Sequence, residues 1–194
     1  MTKKIKELLN PEHLLCAIAK SLHQLRIPYI VTGGFAVAIW GRPRFTADID
    51  IVIELMPEDA STLADKLLLL DKDCYVSKKS INEALTRRGE FNFIHPPTGM
   101  KVDFWIKKDE FDKLKIQRAI SKTINKVKIK FISPEDLILS KLLWYKKTES
   151  ERELRDIKSV LRFTKVSLKY ILKKASEQST LTIFQLCQKI KGDF

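Results

Sequence analysis

Asp48 and Asp50 sit one residue apart in a stretch, Ala47 to Leu55, where Asp48, Asp50, Val52 and Glu54 alternate with Ile49, Ile51, Ile53 and Leu55. A period of two is the pattern of a strand with one apolar face, so both carboxylates project from the other face. Two like charges side by side repel, and burying each is costly unless a cation offsets it. A divalent ion is the natural offset, and Mg²⁺ favours a few carboxylates together with phosphate oxygens. An exposed edge strand carrying two solvated aspartates has the same pattern.

The elements ahead of the pair decide between these readings. Pro11 opens a helical pattern in which Leu14, Leu15, Ile18, Leu22 and Leu25 share a face, and Tyr29-Ile30-Val31 reads as a short buried strand. Gly33-Gly34 breaks that strand, and Phe35 to Trp40 reads as a short apolar helix. Glycines at this junction let the backbone approach a ligand and expose amides at a helix start, an arrangement suited to phosphate. Gly41-Arg42-Pro43-Arg44 is a loop leading into the Asp48 strand, where a guanidinium could bind phosphate.

The run Val31-Thr32-Gly33-Gly34, thirteen residues, then Asp48-Ile49-Asp50-Ile51, resembles the signature of the nucleotidyltransferase superfamily. That resemblance implies a third carboxylate on a later, adjacent strand, which Asp103 in Lys101-Val102-Asp103-Phe104-Trp105 supplies; an ordinary polar strand residue would look alike. The segment Ile132-Ser133-Pro134-Glu135-Asp136-Leu137, running on to Lys141, then Arg152 and Arg155-Asp156, is similar to the later motifs of abortive-infection-type nucleotidyltransferase toxins. The similarity covers residues from about 29 to 160. It implies that Lys141 and Asp156 line a nucleotide site. The toxin pattern often has a second Asp downstream, where this chain has only Lys158 and Ser159. On residue chemistry alone, Lys141 is equally a lysine snorkelling from an amphipathic helix, and Asp156 a partner for Arg152 or Lys158 on its own helix.

The resemblance implies Mg²⁺-dependent transfer of an NMP from an NTP to an acceptor hydroxyl. Asp48, Asp50 and Asp103 are the expected metal ligands, two ions being expected, with Lys141 and Asp156 as further catalytic residues. Gly33, Gly34, Arg42, Thr46 and Lys141 are the expected nucleotide contacts. Asp103 is alternatively a general base. The acceptor is open among RNA or a tRNA end, a protein side chain and a small molecule. A toxin role would bring an antitoxin protein as partner, and a catalytically quiet binding partner or antitoxin is the alternative.

Composition fits this reading without selecting it. Thirty-six Lys and Arg against 24 Asp and Glu give a net charge of +12, which attracts polyanions. The lysines are spread along the chain, as simple solubility would also spread them. Cys16, Cys74 and Cys187 are scattered and suit neither a zinc site nor a disulfide framework; Cys16 and Cys187 read as helix-core residues. His13, His23 and His95 share no ligand spacing, and Trp40, Trp105 and Trp144 read as core. No apolar run approaches the roughly 20 residues of a bilayer span. The basic start Met1 to Lys6 lacks the apolar centre of a secretory signal, so a cytoplasmic location without membrane association is expected.

The expected fold is α+β, a nucleotidyltransferase-like mixed sheet with flanking helices followed by a C-terminal helical part. The core is placed at 1-132 and the helical part at 133-194. Glu90 to Ile94 and Met100 to Ile106 are predicted to form a hairpin around Pro96-Pro97-Thr98-Gly99, and Ile116 to Ile124 with Lys126 to Phe131 a second. Ser133-Pro134-Glu135-Asp136 is a helix start, with Ser as N-cap.

Overall fold

A computed structural model of the chain describes residues 10–189. The basic start Met1 to Lys6 lies outside the described residues. The chain divides into two compact units, one of residues 1–35 and 45–132, the other of residues 36–44 and 133–194.

The first unit is built on a seven-stranded mixed sheet. Its strands are β1 (Tyr29–Thr32), β2 (Asp48–Ile53), β3 (Tyr75–Val76), β4 (Glu90–His95), β5 (Met100–Ile106), β6 (Ile120–Ile124) and β7 (Val127–Phe131), in the order β3-β4-β5-β2-β1-β7-β6. The aspartate strand β2 is therefore central. It runs antiparallel to β1, with Thr32 opposite Asp50, and parallel to β5. Ile49, Ile51 and Ile53 are fully buried, which rules out a solvated edge strand and fixes the register, because a slip of one residue would send all three to the other face.

The flanking helices follow from local signals. Helix α1 (Pro11–Gln24) starts where Asn10 Oδ1 accepts from the Glu12 amide at 2.8 Å, and it buries Leu14, Leu15, Ile18 and Leu22. Helix α2 (Gly33–Trp40) follows β1 without a linker, and its first turn contains both glycines. A 3-10 turn at Pro57–Asp59 leads into α3 (Ala60–Leu68), and α4 (Lys78–Arg87) is capped by Ser77. Strands β4 and β5 form the expected hairpin. The second hairpin is shorter than expected, since Ile116 and Gln117 end a helix, α5 (Glu110–Gln117). Asp109 starts that helix by accepting from the Asp112 amide at 2.9 Å, a side-chain cap that strand periodicity does not reveal. Strands β6 and β7 turn through Asn125 and Lys126, both at positive φ as a two-residue type I′ hairpin requires. β6 is an edge strand with most of its residues exposed.

The second unit holds α6 (Pro134–Thr148), α7 (Glu151–Phe163), α8 (Leu168–Glu177) and α9 (Leu181–Lys189). Leu137, Ile138, Leu142, Ile157, Ile171 and Phe184 form its core. Ser133 caps α6 as expected, accepting from the Asp136 amide at 3.2 Å and donating to Asp136 Oδ2 at 2.7 Å. Tyr170 donates to Asp136 Oδ1 at 2.8 Å, so the buried carboxylate is satisfied on both oxygens and ties α8 to the start of α6. Cys16, Cys187 and Trp40 are buried as expected. Trp144 is not core: it is 47% exposed, with Lys147 Nζ 5.8 Å from its ring centroid. Trp105 is half-buried under Lys108. Among the described residues no helix is long and apolar enough to cross a membrane.

The Ser133 cap supports a first prediction. Ser133→Ala removes the acceptor for the Asp136 amide and a donor to its carboxylate, and urea denaturation is expected to show a loss of about 1–2 kcal/mol. An unchanged midpoint would mean that the cap contributes nothing to the helical unit.

Candidate functional site

Parallel pairing of β2 with β5 places Asp50 directly beside Asp103 and Asp48 beside Lys101. Residues abreast in neighbouring strands share a face, so three carboxylates and one ammonium stand on one side of the sheet. The Lys101 Nζ lies 2.9 Å from Asp103 Oδ2 and 3.8 Å from Asp48 Oδ1. Asp103 is 7% exposed, and its Oδ1 is buried with no hydrogen-bond partner among the described residues. The hydrogen bond to Asp103 raises the pKa of Lys101 above its usual value; burial pulls the other way, and the charges of Asp103, Asp48 and Glu90 add to the rise.

The two glycines are required by this face. Gly33 has φ +60°, and a Cβ built on it would lie 1.8 Å from Asp50 Oδ2, so any side chain here would displace the carboxylate. A Cβ on Gly34 would lie 2.6 Å from Thr46 Oγ1. Thr46 in turn donates to the Asp48 carbonyl at 3.1 Å, joining the residue ahead of β2 to the strand's first peptide. Gly33, Gly34, Thr46, Asp48, Asp50 and Asp103, expected separately as nucleotide or metal contacts, thus meet in one cluster within the first unit. The start of α2 adds backbone amides beside Asp50.

The remaining expected residues lie in the second unit. Asp156 is buried and receives Arg44 in a bidentate pair, Nε to Oδ1 at 2.8 Å and Nη2 to Oδ2 at 2.7 Å. Lys141, also buried, lies 3.0 Å from Asp156 Oδ2 and 2.8 Å from Glu153 Oε2. Two cations and two anions therefore balance in a network that joins the loop before β2, α6 and α7. The partners of Asp156 are not Arg152 or Lys158 but Arg44 and Lys141. Burial alone would raise the Asp156 pKa, but the hydrogen bond from Arg44 and the charge and hydrogen bond of Lys141 outweigh it, leaving the group below its ordinary value. Arg42 is exposed, and its amide donates to Ser159 Oγ at 2.6 Å, while Gly41 packs so closely on Ser159 that a Cβ would come within 2.6 Å of the hydroxyl. Glu153 and Ser159 carry no signal in the sequence, since both act through partners more than ten residues away.

The donor set of the first unit suits a hard divalent ion: all oxygen, three carboxylates, one buried oxygen lacking a partner, and a glycine that leaves room for Asp50. Among the described residues no three His, Cys, Asp or Glu side chains are in metal-holding geometry, and between Asp48 and Asp103 the position is taken by the Lys101 ammonium.

A family model matches most of the chain that carries this strand, the two glycines and the three acids. The family described as nucleotidyl transferase of unknown function (DUF2204) matches residues 12–182. The chain belongs to this nucleotidyl transferase family. A search of the curated proteins found no match. Among solved structures, the chain is similar to an antigenic nucleotidyltransferase-like protein from Paracoccidioides brasiliensis, with a TM-score of 0.54 and 20% identity over 91% of this chain and 93% of that one. It is similar also to ANT(2″)-Ia in complex with adenylyl-2″-tobramycin, at 0.53 and 12% over 93% and 98%. A lincomycin-bound lincosamide antibiotic adenylyltransferase, LnuA, matches at 0.52 and 15% over 78% and 96%. At these identities the likeness is one of fold.

Each cluster can be tested by one substitution. Gly33→Ala combines a left-handed backbone, worth about 1–2 kcal/mol for a side chain, with the displacement of Asp50; thermal denaturation of the variant is expected to show clear destabilisation. In the second unit, Asp156 has a depressed folded pKa, so its contribution is complete above the unfolded value of about 3.9 and is lost as pH falls through the lower folded value. Asp156→Ala leaves Arg44 and Lys141 facing each other and is expected to lose about 3 kcal/mol at neutral pH. Stability measured from pH 6 down to 2 should lose its Asp156-dependent acid limb, and an identical limb in the variant would refute the assignment.

Proposed function

We propose that the protein transfers an NMP from an NTP to an acceptor hydroxyl in a Mg²⁺-dependent reaction, with Asp48, Asp50 and Asp103 holding the metal. The observation that carries this reading is the register of β2 against β5, which stands Asp50 beside Asp103 with Gly33 directly behind the Asp50 carboxylate. When bound, Mg²⁺, in two ions on the expected pattern, neutralises the triphosphate and favours the ionised acceptor. The chain's own groups do the rest. The backbone amides at the start of α2 are offered to the phosphates, and Thr46 and Gly34 shape the approach to β2; Arg42, exposed on a loop held by Ser159 in the second unit, is proposed as a nucleotide contact on the chemistry of its guanidinium alone. The acceptor oxygen bonds to the α-phosphorus, the α–β phosphoanhydride bond breaks, pyrophosphate leaves, and the acceptor proton passes to Asp103 or to water. Lys141 and Asp156 are proposed as positioning residues, whose ion-pair network fixes the segment that bears Arg42.

RNA is the acceptor favoured by the net charge of +12. Small hydroxylated molecules are the alternative suggested by fold relatives solved with adenylyl-2″-tobramycin or lincomycin. A toxin role, with an antitoxin partner, rests on the similarity of residues 29 to 160 alone. The Lys101 ammonium between Asp48 and Asp103 favours one second reading, a catalytically quiet binding partner in which lysine has taken over the role of the metal.

Incubation with each α-labelled NTP, Mg²⁺ and either total RNA or cell lysate separates these readings. Wild-type protein is expected to transfer label only with Mg²⁺, and Asp48→Ala/Asp50→Ala to transfer at least about a hundredfold less. Undiminished transfer by the double variant would sink the site assignment. No transfer to any acceptor, together with no Mg²⁺–NTP binding by calorimetry, would favour the quiet partner.

A further inference from the structure

We infer that Lys101 is a built-in counter-ion which holds Asp48 and Asp103 together in the metal-free protein and which a divalent cation must displace on entering the site. The inference rests on the reading of Asp48, Asp50 and Asp103 as the metal ligands. Lys101 lies two residues before Asp103 on β5 and opposite Asp48 on β2, so the strand register alone delivers its ammonium to the gap between two carboxylates. Its Nζ is 2.9 Å from Asp103 Oδ2 and 3.8 Å from Asp48 Oδ1. A divalent ion taking oxygens from both aspartates would meet the ammonium at close range and repel it strongly. The lysine side chain is 42% exposed, whereas that of Asp103 is 10% exposed, so the cation and not the carboxylate is the member free to swing into solvent.

Such a residue has two opposite effects. It stabilises the empty site by offsetting like charge, and it lowers apparent metal affinity, because only the fraction of molecules with Lys101 withdrawn can accept the ion. Neither effect follows if Lys101 is merely a surface lysine that happens to lie near Asp103. The family resemblance assigns Lys101 no role.

The test measures Mn²⁺ binding by calorimetry, without nucleotide, to wild type, Lys101→Met, Lys101→Gln and Lys101→Arg. Met and Gln variants are expected to bind Mn²⁺ about tenfold tighter or more, and the charge-retaining Arg variant close to wild type. Without metal the Met and Gln variants should melt below wild type, and saturating Mn²⁺ should raise their Tm by more than it raises that of wild type. Amine labelling of Lys101 in wild type, read by mass spectrometry, needs no variant: its rate should rise when Mn²⁺ is added. Binding by the Met and Gln variants alone would support the inference in its strongest form. Wild type that binds Mn²⁺ while these variants bind no tighter, or with Lys101 labelling unchanged at saturation, would overturn the counter-ion role and leave the carboxylate assignment standing. Absence of Mn²⁺ binding in every protein would overturn both.

Discussion

Three carboxylates on two neighbouring strands repel one another, and the first unit is arranged around keeping them together. Their repulsion cannot be relieved by movement, since Ile49, Ile51 and Ile53 between and beyond them are locked into the core and β2 is hydrogen-bonded on both sides. The charge has to be met where it stands. Gly33 yields space so that Asp50 can lie against backbone, Lys101 supplies a positive charge between Asp48 and Asp103, and one oxygen of Asp103 is left buried without a partner among the described residues. The carboxylates are thus held in place with their charge only partly offset by the protein's own groups.

Much of this is legible in the order of the residues. The alternation around Asp48 and Asp50 carries both the strand and its apolar face, and the glycines read correctly as a strand-to-helix junction, because these signals lie within a few residues of one another. The place of Asp103 next to Asp50 follows only from the family pattern, since pairing between residues more than fifty apart is set by the sheet. The same limit hides Lys101. It stands in full view two residues before Asp103, but its meeting with Asp48 depends on a parallel register that period-two reasoning cannot supply. The helix at Glu110–Gln117 escapes for another reason: its apolar residues are few, and the Asp109 cap, not periodicity, marks its start.

The second unit shows how a charged motif can be recognised and its partners still be misjudged. Lys141 and Asp156 stand out in the sequence, but a reading confined to α7 points Asp156 at basic residues of its own helix, of which Arg152 lies one turn away on the same face. The structure instead pairs it with Arg44 from a distant loop and Lys141 from α6, and makes it buried. Burial changes the energetics: breaking a bidentate, mostly desolvated pair is costly, whereas an exposed pair one turn away contributes little. Arg44 has no local signal that would set it above Arg42 as a functional residue, and it is the one that anchors the loop.

The hairpin of β6 and β7 has a consequence for the molecule in crowded solution. β6 closes one side of the sheet, and an exposed strand edge offers its backbone to any other chain. Lys122 lies on β6 itself and Lys126 in its turn, with Lys128 and Lys130 on the neighbouring β7, and no acidic residue occurs between Lys113 and Pro134. A second copy approaching edge to edge would bring the same charges into opposition. Lysine on an edge strand is one of the general devices by which sheets disfavour edge-to-edge pairing, so part of the lysine excess has a meaning separate from affinity for polyanions.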